Sequence, residues 1–585
     1  MDQNLNGADG YGQPPAAPLP HATVVPMGET WAAGVNPVSV SPRSRRLRWG
    51  IAGAVVLCVV VATAAGAFVL SGAAGAKSLT ASVAPKDAVG FLEVRTDLPG
   101  DQHAKLADFM SHFPGFKDRS QFDNALDEML NKLTSAVSPD LTYSSAFKPW
   151  MEGEVSIAAT GLATGLPGGA SGAVVIVGLK DRTAAESWLD SELSRQNLTT
   201  TSQDYAGTKL YSMGSDVPST AYAFTDQDLL LGTVDGVKDA LDTKTKGSLA
   251  DNPDYQAAMN SLSGDSLARF YLDAKALAAS ALGSYNAGMQ QLSGAGSSPI
   301  PTLGLSAAAM PAWIAGSVRA ESNDMVVDVT MPRPAGSPEI GNHTSSLASA
   351  LPGSTVGVFE VHSIGKLITD ELAAVQAQLP AGSADSVKSV TDALAAIGGV
   401  DWLGDGVAVV TKDGSTYGGG IVAQAPDAAT ATTKLATITN LATLASGTLK
   451  ITSRDETYKG VDITVLSIPG SGTAPVDIAL AAKGNLIVAG YTDAFVKAVV
   501  DTTPSTSLAS QSDYSTVMAA AGSSNEGSFY VDIPALEDQI GQAAFSADLS
   551  RWTLDYKPYF DHIGGVGYSV VDGNTVILRF VVTAK

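Results

Sequence analysis

Histidine and cysteine, the residue types best suited to holding a transition metal, are few and widely spaced in this chain. No His-x-x-x-His or Cys-x-x-Cys spacing occurs. Zinc sites commonly draw their ligands from motifs of that kind. The sequence therefore predicts no metal site and no cofactor at these positions, which are His21, Cys58, His103, His112, His343, His362 and His562.

Serine motifs that would support nucleophilic catalysis are also sparse. The Gly-x-Ser-x-Gly pattern of a nucleophile elbow is absent. Ser145 and Lys148 have the Ser-x-x-Lys spacing that places a lysine one helical turn from a serine, but Pro149 follows directly. We interpret this match as coincidental. The sequence predicts no catalytic residue and no enzymatic activity.

Acidic residues recur in corresponding places in the two halves of the chain. Glu93 and Glu360 lie in strand-like segments beside apolar residues, such as Val94 and Phe359, that we predict to be buried. Because neighbouring strand residues point to opposite faces, we predict that both glutamates face solvent. Four aspartates precede helix-like segments, where a carboxylate accepts hydrogen bonds from free backbone N–H groups. We predict helix N-caps at Asp254, Asp273, Asp513 and Asp532.

Two further pairs of residues have structural interpretations. Asp226 and Asp228 are spaced like calcium ligands, but no loop of alternating oxygen ligands follows them, so we predict a turn. Trp150 and Trp402 stand beside glycine-containing acidic turns. We predict that both indoles pack against a sheet, and the alternative is that they line a groove.

An apolar stretch near the N-terminus indicates where the rest of the chain lies relative to a membrane. No charged residue occurs between Trp49 and Ala76, and four arginines precede the stretch. A helix that crosses about 30 Å of hydrocarbon needs roughly twenty such residues, and basic flanks stay cytoplasmic. We predict a cytoplasmic disordered tail at 1–48, a single transmembrane helix at 49–71 in the cell membrane and a linker at 72–82. A cleavable signal peptide ending near Ala76 is the alternative.

The remaining chain, expected outside the cytoplasm, contains an internal duplication. The segment Ser248-Leu249-Ala250 to Phe270-Tyr271-Leu272-Asp273 recurs as Ser507-Leu508-Ala509 to Phe529-Tyr530-Val531-Asp532. The segment around Glu93 recurs around Glu360 in the same order. We define repeat 1 as 83–331 and repeat 2 as 347–585, with a linker at 332–346. A period of this length indicates duplicated domains rather than a solenoid.

The pattern within each repeat predicts an α+β domain. Short apolar strands alternate with helix-like stretches in which apolar residues recur every three or four positions, as between Phe122 and Leu133. Tight polar turns favour antiparallel pairing. We predict two domains, each a mainly antiparallel sheet with helices packed on one face. The segment 282–311 is predicted as an insertion, either a binding lid or a disordered loop.

The order of these signatures resembles a bacterial family known only as domain of unknown function 3352. The resemblance lies in the apolar N-terminal segment, the strand that contains Glu93, and the Ser-Leu-Ala, Asp-Tyr and Phe-Tyr-x-Asp segment that ends at Asp273. It covers most of the chain after the apolar stretch. It implies a membrane-anchored, exported protein and supplies no catalytic residues.

Charge and composition narrow the class of partner. The formal net charge is −22, and an acidic surface repels nucleic acid. We predict a non-catalytic binding or scaffolding protein of the bacterial cell envelope. Its predicted partners are the membrane, through 49–71, and an envelope protein or polymer. The alternatives are an envelope hydrolase acting on glycan or peptide and a carrier of an apolar ligand. The oligomeric state stays open.

Overall fold

The structure is a computed structural model that describes most of the chain from Ser78 onwards. The described residues are 78–98, 100–161, 172–213, 220–279, 310–333, 340–378, 391–392, 394–395, 398–469, 475–546 and 548–585. All of them belong to one compact unit, Gly50–Lys585. The predicted tail at 1–48, the transmembrane helix at 49–71 and most of the 282–311 insertion lie outside the described residues.

In the part of the chain that the structure describes, twenty strands form one sheet, and every pairing within it is antiparallel. The strands of repeat 1 are β1 (Gly90–Arg95), β2 (Met151–Ala159), β3 (Ala173–Leu179), β4 (Thr200–Tyr205), β5 (Thr208–Met213), β6 (Thr220–Phe224), β7 (Asp228–Thr233), β8 (Ala268–Leu272), β9 (Ile314–Ala320) and β10 (Asp324–Met331). Those of repeat 2 are β11 (Thr355–Val361), β12 (Gly406–Asp413), β13 (Thr416–Gln424), β14 (Thr452–Tyr458), β15 (Val461–Ile468), β16 (Val476–Lys483), β17 (Leu486–Gly490), β18 (Gly527–Asp532), β19 (Ile563–Val571) and β20 (Val576–Ala584).

Helices pack on this sheet along its whole length. Within the described residues, the α-helices with defined bounds are α1 (Gln102–Met110), α2 (Phe122–Val137), α3 (Tyr143–Ala146), α4 (Arg182–Arg195), α5 (Val234–Lys246), α6 (Pro253–Ser261), α7 (Ile364–Gln378), α8 (Ala428–Leu449), α9 (Asp493–Asp501), α10 (Ser512–Ala521), α11 (Ile533–Ala544), α12 (Leu549–Arg551) and α13 (Lys557–Phe560). A π-helical turn, Trp552–Tyr556, joins α12 to α13. Short 3₁₀ turns lie at Thr80–Ser82, Arg119–Gln121, Leu249–Asp251, Leu347–Ser349 and Leu508–Ser510.

The two repeats have the same strand order. Repeat 1 runs β4-β5-β6-β7-β3-β2-β1-β8-β9-β10, and repeat 2 runs β14-β15-β16-β17-β13-β12-β11-β18-β19-β20. The last strand of each repeat pairs with the other, β10 with β20, in a register that sets Asp328 opposite Arg579. The two halves therefore meet tail to tail and form one continuous hydrogen-bonded ladder.

One ion-pair cluster holds this junction. The Asp328 carboxylate accepts a hydrogen bond of 2.6 Å from Arg319 of β9. It also accepts bonds of 2.7 and 3.1 Å from Nε and Nη2 of Arg579 of β20. Burial raises the pKa of Asp328, but the two arginines outweigh it and hold the pKa below its usual range. Each repeat thus contributes one arginine to a single buried carboxylate.

The predicted fold class is wrong in the number of sheets and in the placement of the helices. One sheet of twenty strands replaces the two separate sheets. Helices also cover both faces of repeat 1, because Val174 and Ile176 pack with α5 and α6, whereas their neighbour Val175 packs with α4. Strands buried on both faces present apolar residues at every position.

The transmembrane part of the predicted fold class also needs correction. Within the described ranges, no helix combines the length and the apolar character that crossing a bilayer requires. The structure therefore gives no support to the single-pass membrane topology predicted from 49–71, a range outside the described residues.

Candidate functional site

An apolar cavity of about 510 Å³ lies over the junction of the two repeats. Its floor is a row of cross-strand neighbours in which Met325 of β10 faces Val582 of β20, and Val582 faces Val566 of β19. Residues directly opposite each other in an antiparallel sheet share a face. The pairing of β10 with β20 therefore builds a floor that neither repeat has alone.

The walls of this junction cavity come from helices of both repeats. Repeat 1 supplies the end of α1 and the loop after it, with Phe109, Phe113 and Phe116, and the inner face of α2, with Ala125 and Met129. Repeat 2 supplies the helical segment 549–560, whose lining residues are Asp555, Tyr556, Tyr559 and Phe560. The wall is aromatic and aliphatic on both sides.

The segment 549–560 is held against α11 by a close aromatic contact. Trp552 packs on the helix at Gly541, where an added Cβ would come 2.3 Å from its Nε1. Lys557 forms an ion pair with the buried Glu537 of α11. Tyr556 and Asp555, within the π-helical turn, face the cavity. Such turns are rare and occur frequently at functional sites.

The polar groups of the lining lie at its rim. Glu128 and Lys132 of α2 are 3.6 Å apart and mostly exposed, and Asp555 is also mostly exposed, 4.0 Å from Arg551. Small-molecule sites are commonly concave, roughly 300–1,000 Å³ in volume, and mainly apolar with a few polar groups. The junction cavity has these properties.

A buried charge cluster in repeat 1 stands apart from the cavity. Arg95, at the end of β1, forms ion pairs with Glu154 and, at 3.5 Å, with Glu93. Glu154 also accepts hydrogen bonds from the backbone N–H groups of Leu79 and Thr80. Burial, followed by the charge of Glu154, raises the pKa of Glu93 from 4.5 to about 7. This cluster anchors the start of the described chain to the sheet.

A second buried cluster occupies the equivalent position in repeat 2. His362 follows β11 as Arg95 ends β1, and Asp405 precedes β12 opposite it. Burial raises the pKa of Asp405, but the neighbouring His362, a hydrogen bond from the Ser363 N–H and the contact with His343 outweigh this and lower the pKa to about 2. Within the described part of the chain, His343, His362 and Asp405 form a group of potential metal ligands.

The prediction that Glu93 and Glu360 face solvent is wrong. Glu93 is 1% exposed and Glu360 is 4% exposed, whereas Phe359, predicted to be buried, is 53% exposed. Both glutamates share a strand face with core residues, Phe91 in β1 and Val358 in β11. Alternation along a strand separates two faces, but it does not say which one is covered.

The predicted helix caps are half right. The Asp273 carboxylate accepts a 2.8 Å hydrogen bond from the Ala276 N–H, and that of Asp532 accepts a 2.9 Å bond from the Ala535 N–H. In contrast, Asn252 caps α6, and Asp254 lies within its first turn. The residue before α10 is Gln511, so Asp513 is also inside the helix.

The remaining sequence candidates have structural roles. Trp150 is buried in a cluster with Val175 of β3, and Trp402 packs near Ile487 of β17, so both indoles pack against the sheet as predicted. Asp228 closes the predicted turn by accepting a hydrogen bond from Thr225. The Ser145 hydroxyl contacts Thr142, and Lys148 pairs with Asp127, so no serine–lysine dyad forms between them.

Sequence reasoning missed both the cavity and the histidine cluster. The cavity depends on the pairing of β10 with β20, which no local pattern encodes. The ligand group joins three segments separated by 19 and 43 positions, at 343, 362 and 405, so no motif of fixed spacing exists. Glu93 lies two residues before Arg95, and Glu360 lies two residues before His362. This recurrence was the sequence signal that could have pointed to the cluster.

Comparison with known proteins gives a family without an assigned role. A sequence model described as "Protein of unknown function (DUF3352)" matches residues 51–582, and the chain belongs to this family, as the sequence resemblance predicted. No protein with a curated description matches. A solved structure described as "Structure of crystal form I of TP0453" matches at 10% identity over 46% of this chain and 89% of that one. Its TM-score of 0.21 is too low to establish a shared fold.

Proposed function

We propose that this protein binds an apolar or amphiphilic small molecule in the junction cavity without altering it chemically. The observation that carries the proposal is the lining, which is aromatic and aliphatic and is assembled from both repeats. This choice develops the apolar-carrier alternative drawn from the sequence. The predicted location outside the cytoplasm and the predicted envelope partner stay predictions.

Burial of apolar ligand surface supplies the affinity in such a site. Each buried methylene group contributes about 0.8 kcal/mol. The rim groups Glu128, Lys132 and Asp555 suit a polar or charged head group at the mouth, with the apolar part inside. Because α2 of repeat 1 and the segment 549–560 of repeat 2 both line the cavity, a bound molecule would contact both repeats.

The ionisable groups of the lining favour binding over catalysis. Glu128, Lys132 and Asp555 are all more than half exposed. A catalytic site normally excludes water from its reacting groups when it closes, whereas these three side chains are open to solvent at the rim. The apolar interior therefore supports the proposal of a non-catalytic role.

Titration with a polarity-sensitive fluorescent probe, N-phenyl-1-naphthylamine, tests this proposal on the purified full-length chain. We expect saturable fluorescence enhancement. Ala125→Phe places a phenyl group in the cavity, and we expect it to weaken binding at least about tenfold, equivalent to about 1.4 kcal/mol. Ala429→Phe makes the same change at an exposed position of α8 and serves as the matched control.

Equal probe affinity in Ala125→Phe, Ala429→Phe and the unaltered chain would show that the junction cavity is not the binding site. Thermal unfolding of all three proteins checks that the substitutions leave the fold intact. Native mass spectrometry of the purified chain adds a second readout, because a co-purified amphiphile would appear as extra mass in the control and be reduced in Ala125→Phe.

A further inference from the structure

Three potential metal ligands converge at one end of the β11–β12 pair. His343 Nε2 lies 2.9 and 3.0 Å from the two carboxylate oxygens of Asp405. His362 Nδ1 lies 3.2 Å from Asp405 Oδ2, and the two imidazole centroids are 4.0 Å apart. In a tetrahedral zinc site with bonds of about 2.0–2.1 Å, neighbouring ligand atoms are roughly 3.3 Å apart. The two contacts to Asp405 are close to this spacing, and all three ligand atoms lie within 4.8 Å of one another.

The hydrogen bonds around His362 favour a metal-binding tautomer. The Asn525 side chain donates through Nδ2 to the Gly522 carbonyl, at 2.8 Å. Its Oδ1 therefore faces His362 Nε2, at 3.2 Å, as an acceptor. The proton of a neutral His362 then belongs on Nε2, which leaves a lone pair on Nδ1. A histidine ligand that donates its other N–H to an oxygen is the usual outer-shell arrangement of a metal site.

This arrangement points the Nδ1 lone pair of a neutral His362 at a carboxylate. His362 is 1% exposed, and Nδ1 has no well-aligned hydrogen-bond partner despite its short distance to Asp405. Two acceptors facing each other in a buried site repel unless a proton or a metal cation lies between them. Glu360, two residues earlier on the same strand face, also has a buried oxygen without a partner.

Access and support for a bound cation are also present. The His343 side chain is 37% exposed and forms the outer side of the cluster. Its backbone is fixed by paired hydrogen bonds with Asn525. The Ser363 N–H donates to Asp405 Oδ1, at 3.1 Å, and orients that carboxylate. A cation would reach the buried ligands past His343.

We propose that His343, His362 and Asp405 form a binding site for a divalent transition-metal ion of the zinc class, with solvent completing its coordination. Two imidazoles and one carboxylate are ligands that zinc and its neighbours accept, whereas calcium and magnesium prefer oxygen ligands alone. This inference is independent of the junction cavity. It contradicts the sequence-based prediction of no metal site.

Repeat 1 supplies a natural comparison for this site. The position of His362 is taken there by Arg95, whose guanidinium pairs with Glu154 and Glu93. An arginine stays protonated in proteins and donates hydrogen bonds only. The equivalent end of β1 therefore already contains its cation and has no imidazole ligand. Zinc binding is expected in repeat 2 alone.

Isothermal titration of the full-length chain with zinc chloride, using protein purified without a polyhistidine tag, tests the proposal. We expect one zinc ion per chain. His343→Ala, at the partly exposed ligand, is expected to weaken binding at least about tenfold, the lower end of the loss that even an outer-shell change causes. His103→Ala removes an exposed histidine that also contacts an aspartate, Asp123, and is the matched control.

Cobalt(II) supplies a readout independent of heat. A bound cobalt ion in a four-coordinate site gives visible absorption bands, which we expect in the unaltered chain and in His103→Ala but not in His343→Ala. The proposal is overturned if zinc binds none of the proteins, or if His343→Ala and His103→Ala bind it equally. Asp405→Asn, which keeps the side-chain shape, repeats the test should His343→Ala fail to fold.

Discussion

The ends of β1 and β11 are equivalent buried positions that the two repeats fill with different side chains. In repeat 1, Arg95 neutralises Glu93 and Glu154 with a permanent positive charge. In repeat 2, His362 and His343 face Asp405, and both are side chains that can lose a proton. Both repeats have kept a buried acid beside a partner that can be positively charged. The identity of that partner decides whether the positive charge is permanent, as in Arg95, or can be lost, as in His362.

Replacing the fixed cation should give the largest effect. Arg95→Met leaves two buried carboxylates without their positive partner, and we expect the free energy of unfolding to fall by about 3–5 kcal/mol. His362→Gln in repeat 2 should cost less, about 1–2 kcal/mol, because Asp405 keeps hydrogen bonds from His343 and Ser363. Urea unfolding of both variants measures the contrast, and equal losses would refute it.

The second largest effect on stability is expected from replacing Glu93, because its pKa is raised. This substitution should stabilise the protein, whereas Arg95→Met should destabilise it. The unfolded chain ionises Glu93 near pH 4.5, whereas the folded chain keeps the proton up to about pH 7. Stability therefore falls as the pH rises through this window. The difference of about 2.5 pH units corresponds to about 3 kcal/mol as an upper bound. We expect Glu93→Gln to be more stable than the unaltered chain above pH 7.

The measurement is the free energy of unfolding of Glu93→Gln and the unaltered chain at intervals from pH 4 to 8. We expect the two curves to converge near pH 4 and to separate as the pH rises. Burial also raises the pKa of Glu360, so Glu360→Gln should show the same sign in repeat 2. If the two stability curves stayed parallel from pH 4 to 8, the raised pKa of Glu93 would be excluded as the cause of the pH dependence.

The junction between the repeats should give an intermediate effect. Asp328→Asn removes the charge that pairs Arg319 with Arg579, and we expect a loss of about 2 kcal/mol, since both arginines are partly exposed. The pKa of Asp328 is lowered, so its contribution is present above the usual pKa of aspartate and is lost as the pH falls. Denaturation at pH 7 and pH 3 should show a smaller difference between variant and parent at pH 3 than at pH 7.

The two equivalent helix caps should give the smallest effect. Asp273→Ala in repeat 1 and Asp532→Ala in repeat 2 each remove one hydrogen bond to a helix N-terminus. We expect each to lower the free energy of unfolding by about 1 kcal/mol, which corresponds to a fall in melting temperature of about 1 °C in a unit of this size. Asp254→Ala, which alters a residue inside the first turn of α6, is the control and should cost less.

Much of the architecture was predictable from local patterns. The antiparallel pairing, the strand pair after Trp313 and the caps at Asp273 and Asp532 follow from turn chemistry and periodicity. The pairing of β10 with β20 could not be predicted from the sequence. No local signal in Val327 or Phe580 distinguishes pairing within a repeat from pairing between repeats. Two separate sheets were predicted for that reason.

The site residues were harder to predict than the fold. Glu93 and Glu360 were recognised as recurrent acids but were assigned to the wrong environment, because strand alternation gives no information on what covers each face. His343 and His362 were judged scattered, and the isolated bridge between His343 and Asn525 helps to bring them together. The aromatic residues of the cavity walls meet only through tertiary packing of α1, α2 and 549–560.

The sheet is open, and its two outermost strands are β4 and β14, each paired on one side only within the described residues. Exposed strand edges are templates for the addition of further chains, which leads to fibres. Both edges consist mainly of exposed polar residues, including Asp204 in β4 and Arg454 and Asp455 in β14. The polar edge strands β4 and β14 therefore protect the sheet against end-to-end polymerisation. Replacing their charged residues with neutral ones would lower solubility and would leave both proposed binding sites intact.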